Sequence, residues 1–175
     1  MENIDHKISH AFADAVQRSR LGRKFADIAA AHLLWFIGGM YAVILLLIWK
    51  TTGHSSAQPY LFSVLAAWTI TILLEYSIRR KRPFQELSKP LAVEMLWIPP
   101  SFPSGHATIA FAIATTVAFI PHLGISLAWA LYVLAVLISV GRVAVRAHYV
   151  TDVIAGAIVG VAVPSIIFQF LSYVN

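Results

Sequence analysis

Charged side chains divide this sequence unevenly. Between consecutive formally charged residues lie four long uncharged stretches, residues 28–49, 51–74, 95–141 and 153–175, of 22, 24, 47 and 23 residues. A helix that crosses a bilayer needs roughly 20 predominantly apolar residues, so three stretches hold one span each and the 47-residue stretch holds two. The pattern predicts five spans: residues 29–49; a second ending near 78 after a polar turn at 51–59; 104–120; a fourth ending near 140; and 152–171. Ahead of them, Ile4, Ile8, Phe12 and Val16 recur every four residues and stack on one helical face, with Lys7, Asp14 and Arg18 elsewhere on the cylinder. That stripe fits an interfacial amphipathic helix or a helix packed against the rest of the protein, and both readings stay open. The fold class expected is all-α, a polytopic membrane helical bundle of about five transmembrane helices plus an N-terminal interfacial amphipathic helix. It is read as a single membrane-embedded domain over 1–175, with 1–28 as the surface helix and 29–172 as the bundle.

The connections carry the punctuation. Arg79, Arg80, Lys81 and Arg82 are followed by Pro83, which stops the second span. In the long loop after it, Trp97, Ile98, Pro99 and Pro100 form an apolar stretch too short to span and are expected to dip into the headgroup region. Pro121, His122, Leu123 and Gly124 turn the chain between spans three and four. Gly156 and Gly160 make a small-xxx-small pair suited to close helix approach, and Pro164 is a candidate kink in span five.

Composition narrows the picture. The chain is 59% hydrophobic and 12% charged, about half the charged fraction of soluble domains, which excludes a soluble globular protein. No cysteine is present, removing disulfides, thiolate metal sites and cysteine nucleophiles. The first 28 residues carry charges throughout and lack a continuous apolar core, so the first span is expected to serve as the insertion signal. Five spans put the N-terminus and the loops at 79–103 and 141–151 on one side, and 12 of the 13 Lys and Arg residues fall there, Lys50 being the exception. The positive-inside rule makes that side cytoplasmic. A transporter or channel would place ionisable residues near mid-membrane, whereas here all but Glu75 sit at span ends.

Three segments with chemical potential share the basic side: Arg82-Pro83, then Phe102-Pro103-Ser104-Gly105-His106 at the mouth of span three, then Gly141-Arg142 with His148 and Asp152 at the mouth of span five. A helix beginning at Ser104 offers unpaired N–H groups and the positive end of its dipole, and Gly105 lets an anion approach the backbone; alone, the serine reads as an ordinary N-cap. His106 adds a group that titrates near neutrality. His148 and Asp152, four apart, can share a helix face and a hydrogen bond that fixes the imidazole tautomer, although an Asp at a helix start also satisfies backbone donors. Arg82 and Arg142 present planar forks that match phosphate oxygens, or, read singly, touch lipid headgroups. Two histidines, arginines, a carboxylate and a helix start together suit cleavage of a phosphate ester without a metal or cofactor.

In this order and at these helix mouths, the segments resemble the three-part signature of the type-2 phosphatidic acid phosphatase family over about residues 80–160. The resemblance implies that His148 attacks phosphorus to give a phosphohistidine, Asp152 orients His148, and His106 protonates the leaving oxygen, favouring mildly acidic to neutral pH. It implies that Arg82, Arg142, Ser104 and Gly105 bind the phosphoryl oxygens. Two positions depart from the family pattern: Glu75 stands where a lysine is usual, and Gly141 where a serine is usual. Arg79, Arg80 or Lys81 is the expected substitute cation, Arg80 being the one whose placement two residues before Arg82 also fits the family. Glu75 in an apolar span is costly and is read either as functional or as an i to i+4 ion pair with Arg79. The Arg-Pro-Phe ending of the first segment, the short chain and the N-terminal surface helix also resemble the bacterial undecaprenyl diphosphate phosphatase subgroup. The implied substrate is a membrane lipid phosphate or diphosphate, a polyprenyl diphosphate first and phosphatidic acid or phosphatidylglycerophosphate second. No nucleic acid is involved. That subgroup implies an extracytoplasmic site, against the charge count. The reading of another class is a non-catalytic membrane protein that binds anionic lipids with a decayed signature.

Overall fold

The computed structural model describes residues 4–86, 99–121 and 125–174, and every regular element among them is a helix. In chain order these are α1 Ile4–Gln17, α2 Arg20–Ala31, α3 Leu33–Thr52, α4 His54–Ile78, α5 Pro83–Glu86, α6 Gly105–Ala118, α7 Ile125–Ala144 and α8 Val150–Val174. Four segments, carrying α2 with α3, α4, α7 and α8, are long and apolar enough to cross a membrane. The fifth expected span, α6, has 14 residues, about 21 Å at 1.5 Å per residue, against roughly 30 Å of hydrocarbon. It has little lipid to match, because α4, α7 and α8 enclose it and nine of its residues are buried. The chain is thus a multi-pass membrane bundle with α6 as its inner post. Trp35, Leu73, Trp129 and Ile166 face outward on the helices around it.

Close approach requires glycine on α8. A Cβ on Gly156 would lie 2.6 Å from the Ser104 carbonyl oxygen, and one on Gly160 would lie 2.5 Å from that of Thr108. Hydroxyls then tie the helices together. Thr71 donates to Thr108 Oγ1 at 2.9 Å, the Ser63 and Thr116 hydroxyls meet at 3.1 Å, and the Tyr41 hydroxyl donates to the Tyr60 carbonyl at 2.7 Å. Such interhelical bonds average about 0.6 kcal/mol each, so they register the helices more than they hold them.

Several boundaries differ from expectation. The N-terminal segment is two helices, broken at Ser19, whose extended backbone and Oγ, accepting from the Gly22 N–H at 2.9 Å, start α2. Its stripe is also divided: Phe12 and Val16 pack on Ala26, Ala30, Ala144 and Val145, while Ile4 and Ile8 stay exposed. The face of α1 that docks on the bundle is mixed, joining buried Ser9 and Ala13 to the Phe12 and Val16 half of the stripe. The turn at 51–59 shrinks to Gly53 (φ +94°), a conformation open to glycine, and Pro59 lies inside the exposed first turns of α4. Trp97 and Ile98, and His122, Leu123 and Gly124 of the turn between α6 and α7, lie outside the described residues.

Candidate active site

The turn from α7 to α8 builds the centre of the site. Helix α7 ends in a Schellman motif: the Ala147 N–H donates to the Arg142 carbonyl at 3.0 Å and the Arg146 N–H to the Val143 carbonyl at 2.9 Å. The left-handed residue is Arg146 (φ +60°), a place usually given to glycine because a side chain there costs roughly 1–2 kcal/mol. Its guanidinium is anchored on Asp14 of α1. The reversal carries His148 back over the end of α7, where its N–H donates to the Arg142 carbonyl at 3.3 Å.

The imidazole of His148 is buried and bonded at both nitrogens. Nδ1 lies 2.7 Å from the Ser101 carbonyl oxygen and Nε2 lies 3.1 Å from Arg82 Nη1. A carbonyl only accepts and a guanidinium only donates, so Nδ1 carries the proton and Nε2 presents its lone pair. Burial first, then the positive charges of Arg82 and Arg142, hold His148 well below the usual histidine range and keep it neutral.

Asp152 supports this arrangement indirectly. Its carboxylate lies 3.7 Å from His148 Nδ1, too far for a hydrogen bond. The direct bond anticipated from the i, i+4 spacing is replaced by a relay. Asp152 Oδ2 accepts from the Ser101 hydroxyl and from the Tyr149 N–H at 2.9 Å, while the Ser101 carbonyl receives His148. Oδ1 accepts from Arg80 Nη1 at 2.7 Å. Arg80, expected among the phosphate ligands, reaches away from them: it also pairs with Asp5 at 2.6 Å, donates to Thr151 Oγ1 at 2.8 Å and lies over the Tyr149 ring.

Helix α1 completes the network by capping α8 from outside. The first N–H groups of a helix lack intrahelical acceptors; here the Val150 N–H donates to Ser9 Oγ at 2.9 Å and the Thr151 N–H to Asp5 Oδ1 at 3.2 Å. Burial alone would raise the Asp5 carboxyl, but the bonds from Thr151 and Arg80 outweigh it and hold Asp5 below its ordinary 3.8. Its stabilising contribution is therefore full above that value and lost as pH falls through the depressed one. Asp5→Ala is expected to lower stability by about 1 kcal/mol, as loss of a helix cap does. Asp5→Asn should reduce the acid sensitivity of the melting temperature below pH 3.8, measured by thermal unfolding.

In front of His148 lies a cavity of about 450 Å³. Arg82, Arg142, His106, His148 and Glu75 line its polar end with Gly105; Leu34, Trp68, Ile72 and Ile109 line the apolar wall. Arg82 is fixed by the Pro99, Pro100 and Ala147 carbonyls at 2.9, 3.3 and 3.0 Å. Arg142 is buried with one bond, from Nη1 to the Ala30 carbonyl at 3.3 Å, and its Nε has no partner among the described residues. A buried guanidinium with a donor to spare suits an anion arriving from the cavity. Ser104 caps α6, its Oγ accepting weakly from the Ala107 N–H at 3.4 Å and its N–H donating to the Asp152 carbonyl at 2.9 Å. That leaves Gly105 and His106 at the cavity-facing helix start.

The departure at Gly141 has a packing cause: a Cβ there would sit 2.7 Å from Ala29 Cβ and 2.8 Å from the Ala30 nitrogen, so α2 fills the space of the missing serine side chain. Ser101, Asp5, Ser9 and Tyr149 were not indicated by the sequence pattern. Ser101, Asp5 and Ser9 act across 47 to 146 positions of chain, and no local spacing marks such partners, whereas the Tyr149 N–H reaches Asp152 only three positions away. Among the described residues, no group of three His, Asp or Glu side chains is placed to hold a metal ion.

The fold is similar to that of LpxE from Aquifex aeolicus, at 22% identity over 93% of each chain with a TM-score of 0.71. It is also similar to a PAP2-type phosphatidylglycerolphosphate phosphatase from Bacillus subtilis, at 20% identity over 99% of this chain and 89% of the other, again with a TM-score of 0.71. Residues 56–175, which hold every cavity-lining group but Leu34, match the family profile, and the chain belongs to the PAP2 superfamily.

Proposed function

We propose that this protein hydrolyses the phosphate or diphosphate headgroup of a membrane lipid through a phosphohistidine on His148. The observation that carries the reading is the neutral Nε2 of His148 beside Arg82, at the mouth of a cavity that also holds Arg142, His106 and Glu75 and has an apolar wall of Leu34, Trp68, Ile72 and Ile109. In the first step Nε2 bonds to phosphorus while the phosphorus–oxygen bond to the lipid breaks, and His106 supplies the proton to the leaving oxygen. In the second, water attacks the phosphohistidine, giving up a proton to His106, and inorganic phosphate leaves. Dividing the reaction lowers each barrier, and Arg82, Arg142 and the start of α6 at Gly105, with Ser104 capping that helix behind it, stabilise charge on the phosphoryl oxygens. Asp152 and Arg80 act through Ser101 and the α8 start to place His148. No step calls on a metal.

A polyprenyl diphosphate is the first-choice substrate. Similarity to the Bacillus subtilis phosphatidylglycerolphosphate phosphatase makes phosphatidylglycerophosphate the second, with phosphatidic acid beside it. Phosphate release from undecaprenyl diphosphate, phosphatidic acid and phosphatidylglycerophosphate in detergent tests the order. Fastest release from undecaprenyl diphosphate supports it, and faster release from either glycerolipid reassigns the substrate. Binding without hydrolysis across the panel would favour the non-catalytic, anionic-lipid-binding reading. The charge count favours a cytoplasmic site, even though Arg80, Arg82, Arg142 and Arg146 serve internal contacts, whereas the undecaprenyl diphosphate phosphatase reading implies an extracytoplasmic one. A reporter fused after Asn175 checks this, because five spans put that end opposite the site.

A further inference from the structure

Glu75 is the carboxyl group lining the cavity, and the mechanism leaves it unused. It is 7% exposed, and its Oε1 would lie 3.6 Å from a Cβ placed on Gly105, so the carboxylate rests beside the first residue of α6. A helix start of this kind is an anion-binding position. Arg79, the expected i+4 partner, is turned away: its backbone is left-handed (φ +52°) and its Nε donates to the Tyr76 carbonyl at 3.0 Å. Among the described residues no hydrogen bond or ion pair engages the Glu75 carboxylate, and Arg82 is the cation whose charge bears on it.

The other groups around it are accounted for. Tyr76 on its own helix, His106 on α6, Arg142 on α7 and His148 line the same cavity. Helix α3 brings only Leu34 to it, and from α8 the charged group is Asp152, held behind His148 by Arg80 and Ser101. A phosphoryl group seated against Arg82, Arg142 and the α6 start therefore meets a carboxyl group on one side. Carboxylate and phosphate oxygens are both acceptors, and two of them approach closely only with a proton between them.

We propose that Glu75 selects the singly protonated phosphoryl group, sharing one proton with a phosphoryl oxygen beside Gly105. The inference rests on the reading of this cavity as a phosphate site. The proton enters with the ligand, from its own acid form or from solvent, and leaves with inorganic phosphate, so no further reactant is consumed. A lysine at this position would accept the dianion; Glu75 penalises it.

Inorganic phosphate is the probe. Its inhibition constant, and separately the shift in melting temperature that it causes, would be followed from pH 5.5 to 9 for the full-length protein and for Glu75→Gln and Glu75→Lys. Above the second ionisation of phosphate, wild-type affinity should fall about tenfold per pH unit, the slope of one proton taken up on binding. Glu75→Gln should lessen that slope, and Glu75→Lys should flatten or reverse it. Parallel slopes in all three proteins would overturn the proposal, as would tighter binding by the wild type at high pH. The melting-temperature arm needs no turnover: a Glu75-dependent slope without lipid hydrolysis removes the catalytic reading and keeps this one. Intact hydrolysis with parallel slopes does the reverse.

Discussion

His148→Ala protein, purified and folded, is expected to release no phosphate above background from any lipid that the wild type hydrolyses. Removing the group that forms the covalent intermediate in other enzymes costs on the order of 10⁶-fold in turnover, and among the described residues His148 is the cavity histidine whose Nε2 meets Arg82. The wild type, quenched during turnover, should carry an acid-labile phosphoryl group that the variant lacks. The pH profile adds a second check. Because burial and the two arginines hold His148 below the usual 6.5, the nucleophile is lost only on acidification well past that value. The acid limb contributed by His148 should therefore lie well below pH 6.5. Undiminished phosphate release by His148→Ala would falsify the assignment.

Arg142→Ala should lose about 10²–10³ in kcat, or roughly 2.7–4 kcal/mol of transition-state stabilisation, the cost of removing one preorganised donor. Folding should suffer little. Arg142 is buried with its Nε unpartnered among the described residues, and the charge of Arg82 opposes its own, so the resting protein carries it at a cost that a phosphate bound as proposed would offset. The comparison to make is kcat against melting temperature. A large fall in kcat with an unchanged or higher melting temperature supports an anion-binding role; equal losses in both would make Arg142 structural. Arg142→Lys should recover little activity, because an ammonium cannot reproduce the fork or supply the Nε donor.

Much of the fold is legible in the sequence because the bilayer imposes a coarse requirement: the charge-poor stretches become α3, α4, α6, α7 and α8 with shifts of a few residues. The cavity groups are legible for a related reason. Arg82, His106, Arg142 and His148 stand at span mouths, where polar residues are few enough to be seen. What stays hidden depends on tertiary contact. The His148 tautomer is set by a backbone carbonyl at Ser101, and every residue type has one of those. The caps of α8 come from Ser9 and Asp5, which on the sequence look like the polar face of a surface helix. Gly141 looks like a lost hydroxyl until the approach of Ala29 and Ala30 is known.

The seam between α6 and α8 gives a residue well inside the bundle influence over the chemistry at its mouth. Gly156 abuts the Ser104 carbonyl, and Ser104 is also tied through its N–H to the Asp152 backbone. The two helix starts therefore share one spacing, set from below by a hydrogen atom. A methyl group at Gly156 would act as a wedge, pushing the Gly105–His106 side of the cavity away from His148 while leaving every polar group chemically intact. Substitutions at Gly156 and Gly160 belong with the reactive groups when inactive variants are sorted, although neither glycine lines the cavity.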